Sequence, residues 1–346
     1  MPPDPKVLVV GTTADYIDWI RRSCPGRAVF LTDPSVRRQA REPRPEPVEE
    51  ILCDLSAYDR ARSMLQQHLD QNGLRLEGVA CYDCESMERA AQLAQLYDLP
   101  YPSVQAVSNC RNKFLSKTLW QAQHLHTPRA RIIRSETEAA CFFKEFGRPC
   151  VLKPLSGSGS ELIYRCDSIH ECKHNFREIR SGLNRCGDKR HFRSVSVPEP
   201  GVLAEEFIAG SEYSCDFVID NERVEIIRVT RKILSSDGPF GTALGYLLPG
   251  NLPVETDEDA LSQTLFRSAS ALGLRRAICM LDFMIADGRI VLLEMAPRPG
   301  GDCLPFLLRY CYHLDVLKLQ LDFSGQRPVR LNRIPALRPS VGLRLH

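Results

Sequence analysis

Four stretches of this 346-residue sequence carry side chains whose types and spacing suit chemistry on phosphate. Lys153 precedes Ser156-Gly157-Ser158-Gly159-Ser160. Small residues let backbone amides approach phosphate oxygens, hydroxyls add donors, and a lysine adds a point charge. The Walker pattern GxxxxGK[ST] is absent, and a plain Ser/Gly hairpin turn has the same composition. In AEEFIAGSE (204–212), a strand ends in Glu205 and Glu206 and passes through Phe207, Ile208 and a glycine to Glu212. Backbone groups at 206–208 can face adenine and Glu212 can accept from ribose hydroxyls; an ordinary strand corner reads the same way.

The third stretch is a hairpin. Asp282 and Glu294 lie on adjacent strands either side of Asp287-Gly288. A two-residue type I′ turn would set them on opposite faces. A three-residue loop, Ala286-Asp287-Gly288 with the glycine left-handed, changes the parity and puts both carboxylates on one face, diagonally placed. Two acids leaving apolar strands together require a cation or a basic partner. Mg²⁺, held by one or two carboxylates plus phosphate oxygens, satisfies that need economically, and a solvated carboxylate rim is the alternative. The fourth stretch, PRPGGD, follows directly. The Arg298 guanidinium can bind phosphate in two-pronged fashion, and the Gly300 and Gly301 amides can hold a developing oxyanion. A proline–glycine turn with a structural arginine is the alternative there.

Strands alternate with helices over residues 1–107, with strands at 6–11, 28–33 and 78–83 and helices near 57–71 and 87–99, which predicts a parallel α/β unit. Its single Gly11 is not a dinucleotide fingerprint, so the unit reads as a scaffold that also lines part of a substrate pocket. A helix over 109–125 carries Lys113 and Lys117. After it come a strand (130–134), a helix (135–146), two strands joined by the Ser/Gly loop, a polar region (167–195), strands at 202–220 and 224–234, a helix (257–273), the hairpin, and a helix over 304–322. The last residues, with Arg327, Arg330, Arg333, Arg338 and Arg344, read as a solvated tail or an edge strand.

Bulk properties narrow the class. The 45 basic residues nearly balance 43 acidic ones, which gives no electrostatic case for nucleic acid. There is no leader peptide pattern and no run approaching the roughly 18 apolar residues of a membrane span, so a cytoplasmic protein is expected. The fourteen cysteines are scattered, many inside apolar runs, as buried reduced thiols are. Cys81 and Cys84 form a CxxC without a second ligand pair, which argues against zinc.

Taken in order, Lys113, Lys153 before its Ser/Gly loop, EEFIAGSE, Asp282 and Glu294, and then PRPGG resemble the ATP-grasp superfamily. The similarity is to its carbamoyl-phosphate-synthase-like branch, which includes L-amino-acid ligases and biotin-carboxylase-type enzymes. The match runs over about residues 109–305. The resemblance implies an α/β and α+β protein: a parallel α/β domain (1–107) preceding an ATP-grasp domain (108–325) of two α+β subdomains. The lid of that domain falls at about 148–210, and a basic segment (326–346) could begin a further domain.

It also implies roles. Lys113 and Lys153 contact ATP phosphates, residues 156–160 close over them, and Glu205 takes the adenine amino group. Glu206, Phe207 and Ile208 line the adenine slot and Glu212 holds the ribose. Asp282 and Glu294 ligate Mg²⁺, Arg298 stabilises an acyl phosphate, and Arg231 is a weaker candidate for a substrate carboxylate. The implied activity is an ADP-forming carboxylate–amine ligase acting on small molecules, amino acids among the candidates, with a homodimer as the default assembly. Bicarbonate activation and non-catalytic ATP-binding regulation are the alternatives. Where the family has Glu-x-Asn, this chain has Glu294-Met295-Ala296, and the missing amide oxygen weakens the case for a second metal ion but not for the first.

Overall fold

The computed structural model describes residues 4–147, 149–157, 161–185, 201–235, 239–253, 257–329, 331 and 339–343. These residues form three sheets. The first contains β1 (Lys6–Val10), β2 (Ala28–Thr32), β3 (Glu50–Leu52) and β4 (Leu76–Ala80), in the order β3-β2-β1-β4 and all parallel. Helices α1 (Ala14–Ser23), α2 (Pro34–Gln39), α3 (Tyr58–Asn72) and α4 (Met87–Leu96) connect and follow these strands. β1 is KVLVV, buried on both faces, as a β-branched run without alternation should be. The short β3 follows a stretch that contains Pro43, Pro45 and Pro47 and has no periodicity long enough to be legible.

The helix expected over 109–125 is two helices, α5 (Val104–Arg111) and α6 (Lys113–Ala122). Asn112 breaks the run: its side chain accepts from the Phe114 and Leu115 amides and so caps α6, placing Lys113 at that helix's first position.

The second sheet contains β5 (Ala130–Ile133), β6 (Cys150–Pro154), β7 (Tyr164–Cys166) and β8 (Val202–Glu206), antiparallel in the order β5-β8-β6-β7. Helices α7 (Glu136–Phe146) and α8 (Ile169–Arg185) cover one face of it over an apolar cluster that includes Phe142, Leu152 and Ile179.

The third sheet is the largest. It contains β9 (Ser211–Asp220), β10 (Arg223–Leu234), β11 (Ala243–Leu248), β12 (Arg276–Ala286), β13 (Arg289–Ala296) and β14 (Ser340–Leu343), in the order β13-β12-β9-β10-β11-β14. The corner at 207–210 therefore does more than turn the chain: it carries it from the second sheet to the third. Helix α9 (Glu258–Ala271) and the indole of Trp120 pack on the apolar face of this sheet, which presents Cys215, Phe217, Leu281 and Phe283.

The helix expected over 304–322 is likewise split, into α10 (Leu304–Tyr312) and α11 (Val316–Ser324). His313 ends the first at a positive φ of 51°, and Asp315 caps the second by accepting from the Lys318 amide. α11 returns to the first sheet, where the Tyr82 hydroxyl donates to Leu317 O at 2.8 Å and Arg27 pairs with Asp322. In the basic C-terminal stretch, residues 340–343 form an edge strand on β11. Arg330, Arg333, Arg338 and Arg344 lie outside the described residues. No helix among the described residues is long and apolar enough to cross a membrane.

The contact between β4 and α11 generates a test. A Cβ on Gly78 would lie 1.9 Å from the Ser324 carbonyl oxygen, a backbone atom with no room to yield. Gly78→Ala is expected to destabilise the protein by about 1–3 kcal/mol, read as a lower urea midpoint. An unchanged midpoint would show that α11 is not seated on β4 in solution.

Candidate active site

Chemistry-bearing side chains collect on one face of the third sheet because strand period and register align them. Thr230, Ser214 and Asp282 are successive neighbours across β10, β9 and β12, and two residues further along β9 and β10 stand Glu212 and Lys232. In the other direction lie Asp216 and Arg228, paired with each other. The opposite face is the apolar core, so every second residue of these strands is polar for this reason.

The hairpin reaches the expected shared face by a different route. Its turn has two residues, Asp287 (φ 48°) and Gly288 (φ 70°), joining the paired residues Ala286 and Arg289. Such a turn alone would put Asp282 and Glu294 on opposite faces. The register shifts between Phe283, which pairs with Leu292, and Asp282, which pairs with Glu294. Leu293 is the extra residue of a β-bulge, and it restores the parity. The two carboxylates are thus direct cross-strand partners, not diagonal ones. The expected three-residue loop and the diagonal placement are both corrected.

Four lysines meet these acids. Lys232 places its ammonium 2.7 Å from Glu212 Oε1 and 2.7 Å from Asp282 Oδ2. Burial opposes its charge, but Asp282 and Glu212 more than offset that and raise its pKa. Lys113 donates to Gly157 O at 2.7 Å and lies 3.6 Å from Glu294. Burial lowers the Lys113 pKa against the pull of Glu294. Lys153 and Lys117 converge on Glu205, at 2.8 and 3.0 Å. Lys117 also donates to Leu293 O at 2.8 Å, so it ties β8 of the second sheet to the bulge of the third. Burial pushes its pKa down to about 8, with Glu205 opposing.

A cavity of about 130 Å³ lies among Lys113, Lys153, Ser156, Gly157, Asp282, Glu294 and Arg298, with Cys84 at its wall. That volume suits a phosphoryl group and a cation rather than a whole nucleotide. Inside it, the buried Asp282 Oδ1 has no hydrogen-bond partner. An orphaned carboxylate oxygen beside a second carboxylate fits a divalent cation. Gly157 takes a φ of 141°, which only glycine adopts readily, and that exposes its carbonyl to Lys113. Ser158, Gly159 and Ser160 lie outside the described residues.

Several expected roles meet a different geometry. The Glu205 carboxylate, expected at the adenine amino group, is buried between Lys117 and Lys153. Burial works against its charge, but the two lysines prevail and lower its pKa. The Phe207 amide, expected in the adenine slot, donates to Pro149 O at 3.1 Å, so that stretch has one amide fewer for a base. The Phe207 ring lies under the Arg165 guanidinium at 4.3 Å, Ile208 is half-buried beside it, and Glu206 faces Arg129 at 3.9 Å.

Gly300, expected as an oxyanion donor, gives its N–H to both Asp216 carboxylate oxygens, at 3.0 and 3.1 Å. Asp216 in turn is gripped by Arg228 through Nε and Nη2, both at 2.9 Å, with neither side chain exposed at all. A Cβ on Gly300 would lie 2.3 Å from Arg228 Nη2. Gly300 therefore anchors the PRPGG loop, whereas a Cβ on Gly301 would meet only Arg298 Nη1, at 3.9 Å.

Arg298 donates from Nε and Nη2 to Cys84 Sγ at 3.0 and 2.8 Å, so the first sheet's unit does reach the cavity. Arg231 is exposed, and its strand position turns it to the face opposite Lys232, away from this group. Sequence reasoning missed Lys232, Glu205's two lysine partners and the Asp216–Arg228 pair. One signal was available: Arg228, Thr230 and Lys232 alternate with apolar or outward residues, the mark of a polar sheet face.

Residues 146–305 match the family model described as an ATP-grasp domain. The chain is 28% identical over 259 residues to a D-alanine–D-alanine ligase of Acidovorax ebreus, spanning 71% of this chain and 72% of that protein. It is 24% identical over 304 residues to the uncharacterised protein y4rH of Sinorhizobium fredii, spanning 87% of this chain but only 59% of that one. Among solved structures, L-amino acid ligase from Bacillus licheniformis superposes with a TM-score of 0.73 at 19% identity, over 93% of this chain and 74% of that one.

Two tests follow from the geometry. Removing the Asp216 carboxylate leaves Arg228 charged, buried and unpaired, so Asp216→Ala is expected to cost about 3–5 kcal/mol in urea unfolding. A loss below about 1 kcal/mol would mean the pair does not anchor the PRPGG loop. Glu294 gives a pH signature: burial opposes its charge, yet Lys113, Lys153, Arg111 and Lys117 together bring its pKa from 4.5 to about 2. A depressed carboxylate stabilises the fold above its unfolded value and loses that contribution as pH falls through the folded one. The urea-midpoint gap between wild type and Glu294→Gln should be full at about pH 6 and smaller at about pH 3. A gap that does not shrink would contradict the assigned pairing.

Proposed function

We infer, from an ATP-grasp domain at residues 146–305 that makes this chain a member of the ATP-grasp superfamily, that the protein is an ADP-forming carboxylate–amine ligase. ATP and Mg²⁺ are its cofactors. The carrying observation is the pairing of Asp282 with Glu294 in one cavity with Lys113, Lys153 and Arg298. A ligase of this kind transfers the γ-phosphoryl group of ATP to a carboxylate oxygen and releases ADP. An amine then attacks the acyl phosphate, forming the C–N bond and expelling phosphate. No nucleophilic side chain is required.

Asp282 and Glu294 would hold the metal ion, which supplies charge neutralisation for the transferring phosphate. This chain's residues supply the rest. Lys113 and Lys153 offer point charges to the phosphates, and Gly157 sets the near end of a loop whose small residues suit close backbone approach. Arg298, braced by Cys84, presents a guanidinium at the cavity wall, where acyl-phosphate charge develops. Positioning and electrostatics do most of the work in phosphoryl transfer, and this residue set is made for both.

Lys232 takes part as well. Its ammonium already bridges Asp282 and Glu212, so it can yield one carboxylate to the metal while keeping the other. With Ala296 in place of a third ligand, the donor set supports one metal ion better than two. The relatives named above extend the reading to amino acids: one is a D-alanine–D-alanine ligase and the neighbouring structure is an L-amino acid ligase. We take an amino acid as the carboxylate substrate class and a second amino acid as the amine.

Nucleotide product analysis tests this directly. Purified protein with ATP and Mg²⁺ is supplied with pools of amino acids and other carboxylates. ADP and phosphate should appear only when both a carboxylate and an amine are present, and Asp282→Asn should lower that turnover by about 100-fold or more. AMP and pyrophosphate as products would overturn the acyl-phosphate route. ADP release driven by bicarbonate without an amine would move the assignment to carboxylation.

A further inference from the structure

Away from the nucleotide cavity, on the far side of the second sheet, three cysteine sulfurs face one another. We propose that Cys150, Cys166 and Cys172 form a binding site for a single soft d¹⁰ metal ion of the copper(I) class.

The fold makes the convergence. Cys150 and Cys166 are direct partners across the antiparallel β6–β7 ladder, so their side chains leave the sheet on the same face. Cys172, in the first turn of α8, comes down onto that face. All three residues are fully buried. Their sulfurs lie within 4.8 Å of one another, with Cys150 and Cys172 at 3.6 Å and all three as free thiols. A metal bound by three thiolates at about 2.3 Å holds its sulfurs about 4 Å apart. The triangle is therefore nearly the right size before any ion enters.

Asn175 separates a ligand site from mere core filling. It is a polar residue inside an apolar cluster, buried to 9% exposure, and it donates from Nδ2 to Cys166 Sγ at 3.4 Å. A neutral thiol is a poor acceptor, and a buried amide without a good one is costly. A thiolate answers that need. Cys166 Sγ accepts from Asn175 and lies within 4.8 Å of the other two sulfurs, and the positive end of α8 faces Cys172.

The same surroundings select the ion. Thiolates choose soft cations. A structural zinc site takes four ligands, but no fourth His, Cys, Asp or Glu among the described residues joins this group, and none of the three cysteines is exposed to solvent. Three buried sulfurs suit a three-coordinate copper(I) ion, with Asn175 as the supporting hydrogen-bond donor. Each thiol gives up its proton on ligation. The ion would pin β6, β7 and α8 together. Since β6 ends where the Ser/Gly loop begins and β7 starts where it ends, the clamp would fix both roots of that loop.

The full-length chain, reduced and held without oxygen, is titrated with copper(I) delivered from its bicinchoninate complex. Loss of the complex's colour should report one tight equivalent. Cys166→Ala and Cys172→Ala should each weaken it by about 100-fold or more, while Cys53→Ala and Cys141→Ala leave it intact. X-ray absorption at the copper edge of the loaded wild type should give three sulfur neighbours, a reading that does not depend on any variant folding. No tight equivalent, survival of it when all three residues are alanine, or nitrogen or oxygen neighbours at the copper would each overturn the proposal. A zinc ion retained through purification at this site and resistant to copper would overturn the assignment of the ion.

Discussion

Four lysines and four carboxylates are packed into the seam between the second and third sheets, and the rest of the molecule is arranged around keeping them paired. Each of Lys113, Lys117, Lys153 and Lys232 has at least one acid within 3.6 Å, and Glu205 and Lys232 each serve two partners. An unpaired ion in such a place would cost several kcal/mol, so the seam is stable only as a set. This constraint explains features that otherwise look unrelated. The bulge at Leu293 brings Glu294 opposite Asp282, the Asn112 cap sets the start of α6 and thus where Lys113 stands, and the left-handed glycine turns a carbonyl toward Lys113. Each fixes the position of one member of the set.

The three sheets divide the labour. The third presents one polar face and hides the other on α9 and Trp120, giving the acids a rigid base. The second carries Lys153 and the roots of the Ser/Gly loop on strands backed by α7 and α8. The first, an ordinary parallel α/β layer, reaches in with the loop whose Cys84 braces Arg298. It is fastened from behind by α11, so the helices that follow the PRPGG loop link the two ends of the described chain. The Asp216–Arg228 pair holds that loop to the polar face at Gly300, which is why its second glycine is more open than its first.

Much of this was legible in the sequence, for a physical reason. The β-branched run KVLVV, the lysine before Ser and Gly, EEFIAGSE and the acid-bearing hairpin are local patterns, and local patterns survive in one dimension. The family resemblance rested on their order, and the domain match covers the stretch that holds most of them. What was lost depends on partners distant in sequence. A bulge cannot be seen in β13 alone, because it exists only relative to β12. Glu205 looked free because both of its lysines come from other elements. Gly300 looked like a donor because its acceptor, Asp216, lies 84 residues earlier. The three cysteines of the second sheet seemed scattered because a strand pair and a helix are needed to gather them.

Lys117 has a consequence for how the two sheets can move. Its ammonium is bonded at once to Glu205 on the second sheet and to Leu293 O on the third, with the side chain only 1% exposed. Parting the sheets would leave the buried ammonium without its carboxylate or without its carbonyl, and either loss costs free energy. Lys117 stands on α6, outside both sheets, so each sheet is held to that helix as well as to the other. The seam is in this sense riveted through a third element, and a shift of either sheet that keeps both bonds must carry α6 with it.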